Sequence, residues 1–164
     1  MTRRIAAIAA ATLLLLNLSC AGSSGRSSIN NTYSSEAGSA TGHDLKEKAN
    51  FVFAKLNYQF ERFEQFQTRI YLETFWRDRT PFPDEAAIGA QIARTRFILR
   101  ARERVSKSDS ELSVYKVRIT GENEVKFNED DGWVRLPLTA AAEEYIRSCI
   151  SEYRSEINSG IRVY

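Results

Sequence analysis

Arginine is the residue type whose spacing in this chain most suggests binding chemistry. Between positions 94 and 105, arginines alternate with other residues at the period of two that sends β-strand side chains to opposite faces. One face of such a strand would carry Arg94, Arg96, Arg100, Arg102 and Arg104. A guanidinium group offers paired donors that fit the oxygens of carboxylates, phosphates and sulfates. The row therefore predicts a site for an anionic ligand, such as a glycan or a lipid head group.

A second interpretation of the arginine row is structural. Carboxylates on neighbouring strands would pair with the arginines across the sheet. The available partners are Glu61, Glu73, Glu111 and Glu122. If they are used, the row stabilises the sheet and binds no ligand. The near balance of basic and acidic residues in the whole chain, 23 against 21, favours this interpretation.

Aromatic residues are concentrated between positions 51 and 82. Core packing against the first helix accounts for most of them. Tyr71 and Phe75, however, alternate with Leu72 and Trp76 in a strand pattern, so they belong to the opposite face. An exposed aromatic face would bind a protein partner, or would stack on a glycan or a lipid. Tyr71 and Phe75 are therefore candidate partner-binding residues.

The sequence predicts no catalytic residue, cofactor or metal site. Cys149 lies on the apolar stripe of a predicted helix, where a free cysteine usually behaves as a small buried hydrophobe. The single histidine, His43, is remote in sequence, so a Cys/His pair is not expected. The acidic run 129–131 lacks the ordered alternation of ligands of a calcium loop and is expected to be a solvated turn.

The charge balance also bears on nucleic-acid binding. Without Arg3 and Arg4, which belong to the N-terminal leader, 21 basic residues face 21 acidic ones. Bulk attraction to nucleic acid needs an excess of positive charge, which this chain lacks. We expect no nucleic-acid partner.

Two amphipathic helices are predicted, one near each end of the globular region. The first covers about 43–56, with Thr41 as its N-cap and Asp44 in its first turn. The second begins after Thr139, and Gly160 fits the position just past its end. Its apolar stripe consists of Ala142, Tyr145, Ile146, Cys149, Ile150, Tyr153 and Ile157. Both helices have one apolar face, so both must pack on another element.

The segments between the helices read as strands. They are 58–63, 69–77, 94–105, 112–120 with a bulge, 125–127 and 133–136. For residues 57–68 a continuation of the first helix remains the alternative, because the apolar residues there also fit a helical face. Residues 84–92 form a short helix or a loop. This order predicts an α+β fold, an antiparallel sheet of about four to five strands with two helices packed on one face as a two-layer sandwich.

The first 19 residues have the layout of a signal peptide. Arg3 and Arg4 precede an apolar run over 5–16, which is too short to span a bilayer as a helix. The run ends in Leu18-Ser19-Cys20. These three residues resemble the lipobox of bacterial lipoproteins, although Asn17 departs from it and leaves ordinary signal cleavage as an alternative. The resemblance implies lipidation at Cys20 and a membrane anchor.

Residues 20–43 are rich in Ser, Gly and Asn, which predicts a flexible tether after the lipidated Cys20. Residues 44–164 then form a single globular domain. The order of its elements, with the Trp76-ended strand, resembles domains of lipoprotein subunits in outer-membrane assembly machineries. That resemblance implies a scaffold role without catalysis. Ala21, after the cysteine, resembles an outer-membrane address, at the periplasmic face if the host is diderm.

Two functions remain open from the sequence. The first is a non-enzymatic envelope lipoprotein that binds an envelope protein partner through its open sheet face. The second is a binding module that holds an anionic envelope ligand through the arginine row. Binding by arginines weakens steeply as salt screens the charges, whereas an aromatic interface changes little.

Overall fold

The computed structural model describes residues 30–108 and 112–159 as an antiparallel six-stranded sheet with three helices. The strands are β1 Thr32–Thr41, β2 Phe60–Phe66, β3 Arg69–Thr74, β4 Arg77–Arg79, β5 Ile92–Val105 and β6 Val114–Lys126. The helices are α1 Gly42–Lys55, α2 Pro83–Ala87 and α3 Ala140–Ser159. The sheet order is β1-β6-β5-β3-β2, and β4 pairs with β5 beyond the end of β3. The α+β class is confirmed, with more strands and one more helix than expected.

The prediction of a flexible tether through residue 43 is wrong for Thr32–Thr41, which form edge strand β1. The strand pairs with β6 along its whole length, from Thr32 opposite Glu122 to Thr41 opposite Val114. Most of its side chains are small or polar, with Ala37 and Ala40 buried and Tyr33 packed, partly buried, against the core. The predicted signal peptide, Cys20 and the first part of the tether lie outside the described residues.

The long strands differ from the prediction in two places. The predicted segments 112–120 and 125–127 are parts of one strand, β6, and 133–136 contributes only an isolated bridge between Val134 and Val125. The predicted bulge exists, but the extra residue lies in the partner strand. Glu103 pairs with Tyr115 and Val105 with Val114, so Arg104 has no partner in the register.

The predicted strand 69–77 is interrupted at Phe75 and Trp76, between β3 and β4. Ile70, Leu72 and Thr74 are buried as their alternation predicts. Trp76 does not share their face, since its ring stacks on Arg94 and Arg96 of the opposite face. The interruption of the strand resets the alternation at this point. The predicted pairing with the preceding segment is confirmed, since β2 pairs antiparallel with β3.

Both long helices are where their periodicity places them. Thr41 caps α1, because its hydroxyl accepts a hydrogen bond from the Asp44 amide at 3.1 Å. Asn57, just past the end of α1, has a positive φ of 59°, in the left-handed region that asparagine tolerates better than most residues. Thr139 caps α3 through the Ala142 amide at 3.3 Å. Gly160 lies outside the described residues.

The two long helices, α1 and α3, share the main core with one face of the sheet. Phe53 of α1 packs within 5.9 Å of Tyr153 of α3 and within 5.2 Å of Phe97 of β5, measured between ring centroids. This face, called the inner face below, includes Leu99, Val117 and other residues that alternate along β5 and β6. None of the described helices has the length and apolar character needed to cross a membrane.

Gly121 of β6 sets how closely α3 approaches the sheet. A Cβ atom at this position would lie 2.3 Å from Cγ2 of Ile146, which is fully buried. The helix therefore rests on a strand position that has room only for hydrogen.

Candidate functional site

The sheet face opposite the helices, called the outer face below, carries the predicted arginine row. Alternation along β5 sends Thr95, Phe97 and Leu99 into the core, and the intervening arginines point outward. The outer-face series of β5 also contains Ile98, which is apolar and only 3% exposed. It divides the face into a paired half around Arg94 and Arg96 and a half around Arg100 and Arg102.

In the paired half, Arg94 is fixed by charge and by stacking. Its Nε donates to Oε2 of Glu124 at 2.9 Å. Its guanidinium carbon lies 4.4 Å from the Trp76 ring centroid and 4.0 Å from that of Trp133. The guanidinium group thus contacts two indoles in a cation–π arrangement. Glu124 was missed as a partner because the sequence does not show which residue faces Arg94.

Glu124 also binds a second arginine, Arg135, which follows β6 in the chain. Nε of Arg135 donates to its Oε1 at 2.9 Å. Burial acts to raise the pKa of this carboxyl, but the hydrogen bonds from Arg135 and Arg94 outweigh it, so the pKa lies below its usual value. Glu124 is therefore a charged structural partner.

Arg96 confirms the structural interpretation for its own position. It donates to Glu122 at 2.8 Å through Nε and to Glu73 at 2.5 Å through Nη1. Glu73 also accepts the Tyr71 hydroxyl at 2.7 Å. Burial raises the pKa of Tyr71, and this hydrogen bond raises it further, so Tyr71 stays a neutral donor. The sequence-based proposal of Glu73 and Glu122 as partners was correct for this arginine alone. Glu61 pairs with none of the described arginines, and Glu111 lies outside the described residues.

The other half of the outer face contains cations that lie beside one another. The β5–β6 register places Arg100 opposite Arg118, and Arg102 opposite Lys116. On its other side Arg102 lies opposite Arg69 of β3. We call the five residues Arg69, Arg100, Arg102, Lys116 and Arg118 the basic patch. All five are exposed.

Few acidic groups neutralise the basic patch. Glu36 of β1 is bound to Lys116, with 2.9 Å between Oε2 and Nζ. In the described part of the chain, the side chains of Arg69, Arg102 and Arg118 make no ion pair or hydrogen bond. Arg100 contacts the Tyr71 ring, with 5.5 Å from its guanidinium carbon to the centroid. The patch is therefore a concentration of positive charge on a chain whose formal net charge is only +2.

The floor of the basic patch is a depression of about 560 Å³. Around it stand Ser34, Glu36, Arg100, Arg102, Lys116, Val117, Arg118 and Thr120. The strands β1, β5 and β6 supply all of these residues, so the depression spans three rigid elements. The Thr120 hydroxyl donates to Oγ of Ser34 at 3.1 Å, which leaves the Ser34 hydroxyl as a donor next to the cations. An anion placed here would meet guanidinium groups and a hydroxyl donor, together with the Lys116 ammonium that also binds the Glu36 carboxylate.

Two predicted site residues lie outside the basic patch. Arg104 is the extra residue of the β5 bulge, so it leaves the alternation of the row. Phe75 is 50% exposed and borders a separate depression with Tyr58, Trp76 and Arg77. Tyr71 does contact the patch, through Arg100. Arg69, Lys116 and Arg118 were not predicted as site residues from the sequence, although 116 and 118 show the same spacing of two.

A buried ionic cluster on the inner side has a structural role. Arg79 donates to both oxygens of Glu85, at 2.7 and 2.8 Å, and Asn123 donates to Oε1 at 2.9 Å. Burial raises the pKa of Glu85, but the bonds from Arg79, the Phe82 amide and Asn123 together bring it below the usual value. Every lone-pair direction of this carboxylate is engaged, so the cluster joins α2 to the sheet and leaves no position for a ligand.

Cys149 is buried in the core, as its helical position predicts. Burial raises the pKa of its thiol to about 11, so the thiolate needed for nucleophilic chemistry is scarce at neutral pH. His43 is exposed on α1, where it pairs with Glu47 at 3.3 Å. Within residues 30–108 and 112–159, no three His, Cys, Asp or Glu side chains are grouped to hold a metal ion.

Comparison with protein-family models and with curated proteins identifies no relative. No protein-family model matches the chain, and no curated protein is significantly similar to it. The interpretation of the site consequently depends on its own geometry.

Proposed function

We propose that this chain is an exported, lipid-anchored envelope protein whose globular domain binds an anionic ligand without catalysis. The basic patch is the binding surface. The lipid anchor at Cys20 is supported by the leader layout and the lipobox-like Leu18-Ser19-Cys20. The ligand-binding half of the proposal is supported by the structure of the outer face.

One observation carries the proposal: Arg102 has a cation on each side, Lys116 in β6 and Arg69 in β3. Like charges directly opposite each other destabilise a sheet. The same face shows the opposite arrangement at Arg96, where carboxylates of both neighbouring strands are present. The chain therefore balances charge in one half of the face and leaves it unbalanced in the other. A bound anion would remove the repulsion.

The anion-binding half is tested with the full chain in micelles of a neutral detergent. Inorganic pyrophosphate is titrated at low and high salt, and binding is measured by calorimetry. We expect the double variant Arg102→Gln/Arg118→Gln to bind pyrophosphate at least about tenfold more weakly, since each substitution removes a charge-assisted hydrogen bond to the anion. The matched control Arg62→Gln/Lys55→Gln removes two exposed cations outside the patch and should bind as the wild type does. Equal binding by all three chains would exclude the patch as the site.

The anchor is tested separately by intact mass and membrane fractionation of the chain expressed with its own leader. A product with acyl mass in the membrane fraction, lost in Cys20→Ser, is the expected result. An unmodified soluble product from both chains would refute the anchor and leave the domain to act in solution.

A second candidate function is binding of an envelope protein partner. The edge strand β2 favours it, because Phe63 and Phe66 on this strand are 47% and 59% exposed. Unpaired backbone groups of an edge strand also accept a strand from another protein. Such binding would change little with salt, whereas pyrophosphate binding at the patch should weaken steeply.

A further inference from the structure

We infer that the ligands of the basic patch are phosphate groups of anionic lipids, so that the outer sheet face lies against a membrane surface. This inference rests on the proposed function, because it specifies the source of the anion. Three features of the domain favour a lipid surface over a single dissolved anion. They are the extent of the patch, the apolar residues beside it, and its distance from Cys20.

The basic patch is wider than one small anion. Lys116, Arg102 and Arg69 form a row across three strands, and Arg118 and Arg100 form a parallel row. Neighbouring strands are about 4.8 Å apart, and side chains two residues apart on a strand are separated by about 7 Å. The cations thus cover an area of about 10 by 7 Å, before their side-chain reach is added. An array of phosphates fits such an area better than one phosphate does.

An exposed aromatic side chain continues the row of cations. Phe66 lies opposite Arg69 in the β2–β3 register, so the order across the face is Phe66, Arg69, Arg102 and Lys116. The Phe66 side chain is 59% exposed. Val105 and Leu112 are also exposed, by 46% and 60%, at the same end of the sheet. Cations beside exposed apolar groups match a bilayer surface, where head-group charge lies above the acyl region.

The chain length between anchor and patch permits this contact. Eleven residues lie between Cys20 and Thr32, the first residue of β1. They span at most about 40 Å when fully extended. Ser34 and Glu36, which border the patch, follow two and four residues later in the same strand. A domain held by lipid at Cys20 would therefore stay close enough for the patch to meet the same membrane.

Site-specific photocrosslinking in reconstituted vesicles tests this inference on the full chain. Benzoylphenylalanine replaces Phe66 in one variant and Phe51 in another. Phe51 is the matched control, because it is 62% exposed but lies on α1, on the helix-covered side. The vesicles contain either phosphatidylcholine alone or phosphatidylcholine mixed with phosphatidylglycerol. Crosslinked lipid is counted by mass spectrometry.

We expect position 66 to crosslink lipid in the phosphatidylglycerol vesicles and position 51 to crosslink far less. Adding Arg102→Gln/Lys116→Gln should lower the position-66 yield about tenfold or more, since each basic residue near an anionic surface changes partitioning about fivefold. Equal crosslinking yields at positions 66 and 51 would overturn the inference. So would a position-66 yield that is the same with and without phosphatidylglycerol. Pyrophosphate binding without lipid crosslinking would also overturn it while leaving the proposed function intact, and would point to a dissolved or glycan-borne anion.

Discussion

Arg102 of β5 lies directly opposite Lys116 of β6, and no carboxylate of the described chain is bound to Arg102. Arg96, six residues earlier on the same strand and the same face, has a carboxylate on either side. The same residue type thus has opposite energetic roles at the two positions. That contrast makes a test possible within one strand.

Removing the charge at Arg102 should stabilise the fold. Arg102→Gln relieves repulsion from Lys116 and Arg69, and we expect a gain of about 0.2–1 kcal/mol in the free energy of unfolding at low salt. The gain should shrink as salt screens the charges. Arg96→Gln is the matched control, and it should cost about 1–3 kcal/mol because Glu73 and Glu122 lose their partner. Denaturant unfolding at two salt concentrations measures both, and a loss of stability in Arg102→Gln would contradict the account.

The position of Gly121 under α3 gives a second prediction. Gly121→Ala places a methyl group against Ile146, which has no space to yield in the core, so we expect destabilisation of about 1–3 kcal/mol. Thermal unfolding should show a melting temperature roughly 5–10 °C lower. Gly132→Ala is the control, since a Cβ there meets nothing within 4 Å.

The double variant Gly121→Ala/Ile146→Ala separates steric overlap from other causes. If the two side chains compete for one space, its loss of stability is smaller than the sum of the single losses. Additive losses would show that Gly121 is needed for another reason.

Acid should weaken the link between α2 and the sheet. The folded-state pKa of Glu85 is lowered, so its contribution to stability is complete above the unfolded pKa, about 4.3, and is lost as the pH falls through the folded pKa. Glu85→Gln should cost about 3–5 kcal/mol at neutral pH, because Arg79 is left buried without a counter-charge.

The difference between Glu85→Gln and wild type should therefore narrow below about pH 4, where wild type also loses the charge. Urea unfolding of both proteins from neutral to acidic pH measures this difference in the free energy of unfolding. Glu64→Gln, which removes the partner of the more exposed Arg62, is the control with little expected effect. A difference that stays constant with pH would show that the charge of Glu85 is not what matters.

The helices were predictable because their information is local. In α3, the stripe from Ala142 to Ile157 repeats at 3.6 residues, and every turn contributes a buried residue. The caps Thr41 and Thr139 are also local, since each bonds an amide three residues later. A helix of this kind can be recognised before its packing partner is known.

Strand β1 was not predictable in the same way. It pairs with β6 along its length, and its buried side chains, Ala37 and Ala40, are small. Gly38, with φ of 128°, lies at the register shift in this strand, and a Cβ there would come within 3.2 Å of Asn158. A segment of Ser, Gly and Ala has the composition of a linker. Only the neighbouring β6 and α3 make it a strand.

Alternation within a strand predicts which side chains share a face, and only this part of the site could be predicted from the sequence. Spacing within β5 places Arg94, Arg96, Arg100 and Arg102 on one face. Which of them is neutralised depends on register, and register is set by pairing between segments far apart in sequence. The partners of Arg94 illustrate this, because Glu124 and Trp133 lie 30 or more positions away. That Arg100 and Arg102 lie beside other cations could be recognised only once the strand order and register were known.

The buried thiol of Cys149 gives the last prediction. With its pKa raised to about 11 and its side chain inside the core, the thiol should resist a thiol-reactive reagent at neutral pH until the protein unfolds. The measurement is the labelling rate in native buffer and in denaturant, made in the Cys20→Ser chain so that Cys149 is the reacting group. Ser148 is exposed on the same helix, so Ser148→Cys with Cys149→Ala is the matched control and should label quickly. Native labelling of Cys149 as fast as the control would mean that α3 opens readily, and the packing of Ile146 and Tyr153 on the sheet would then be weaker than their burial indicates.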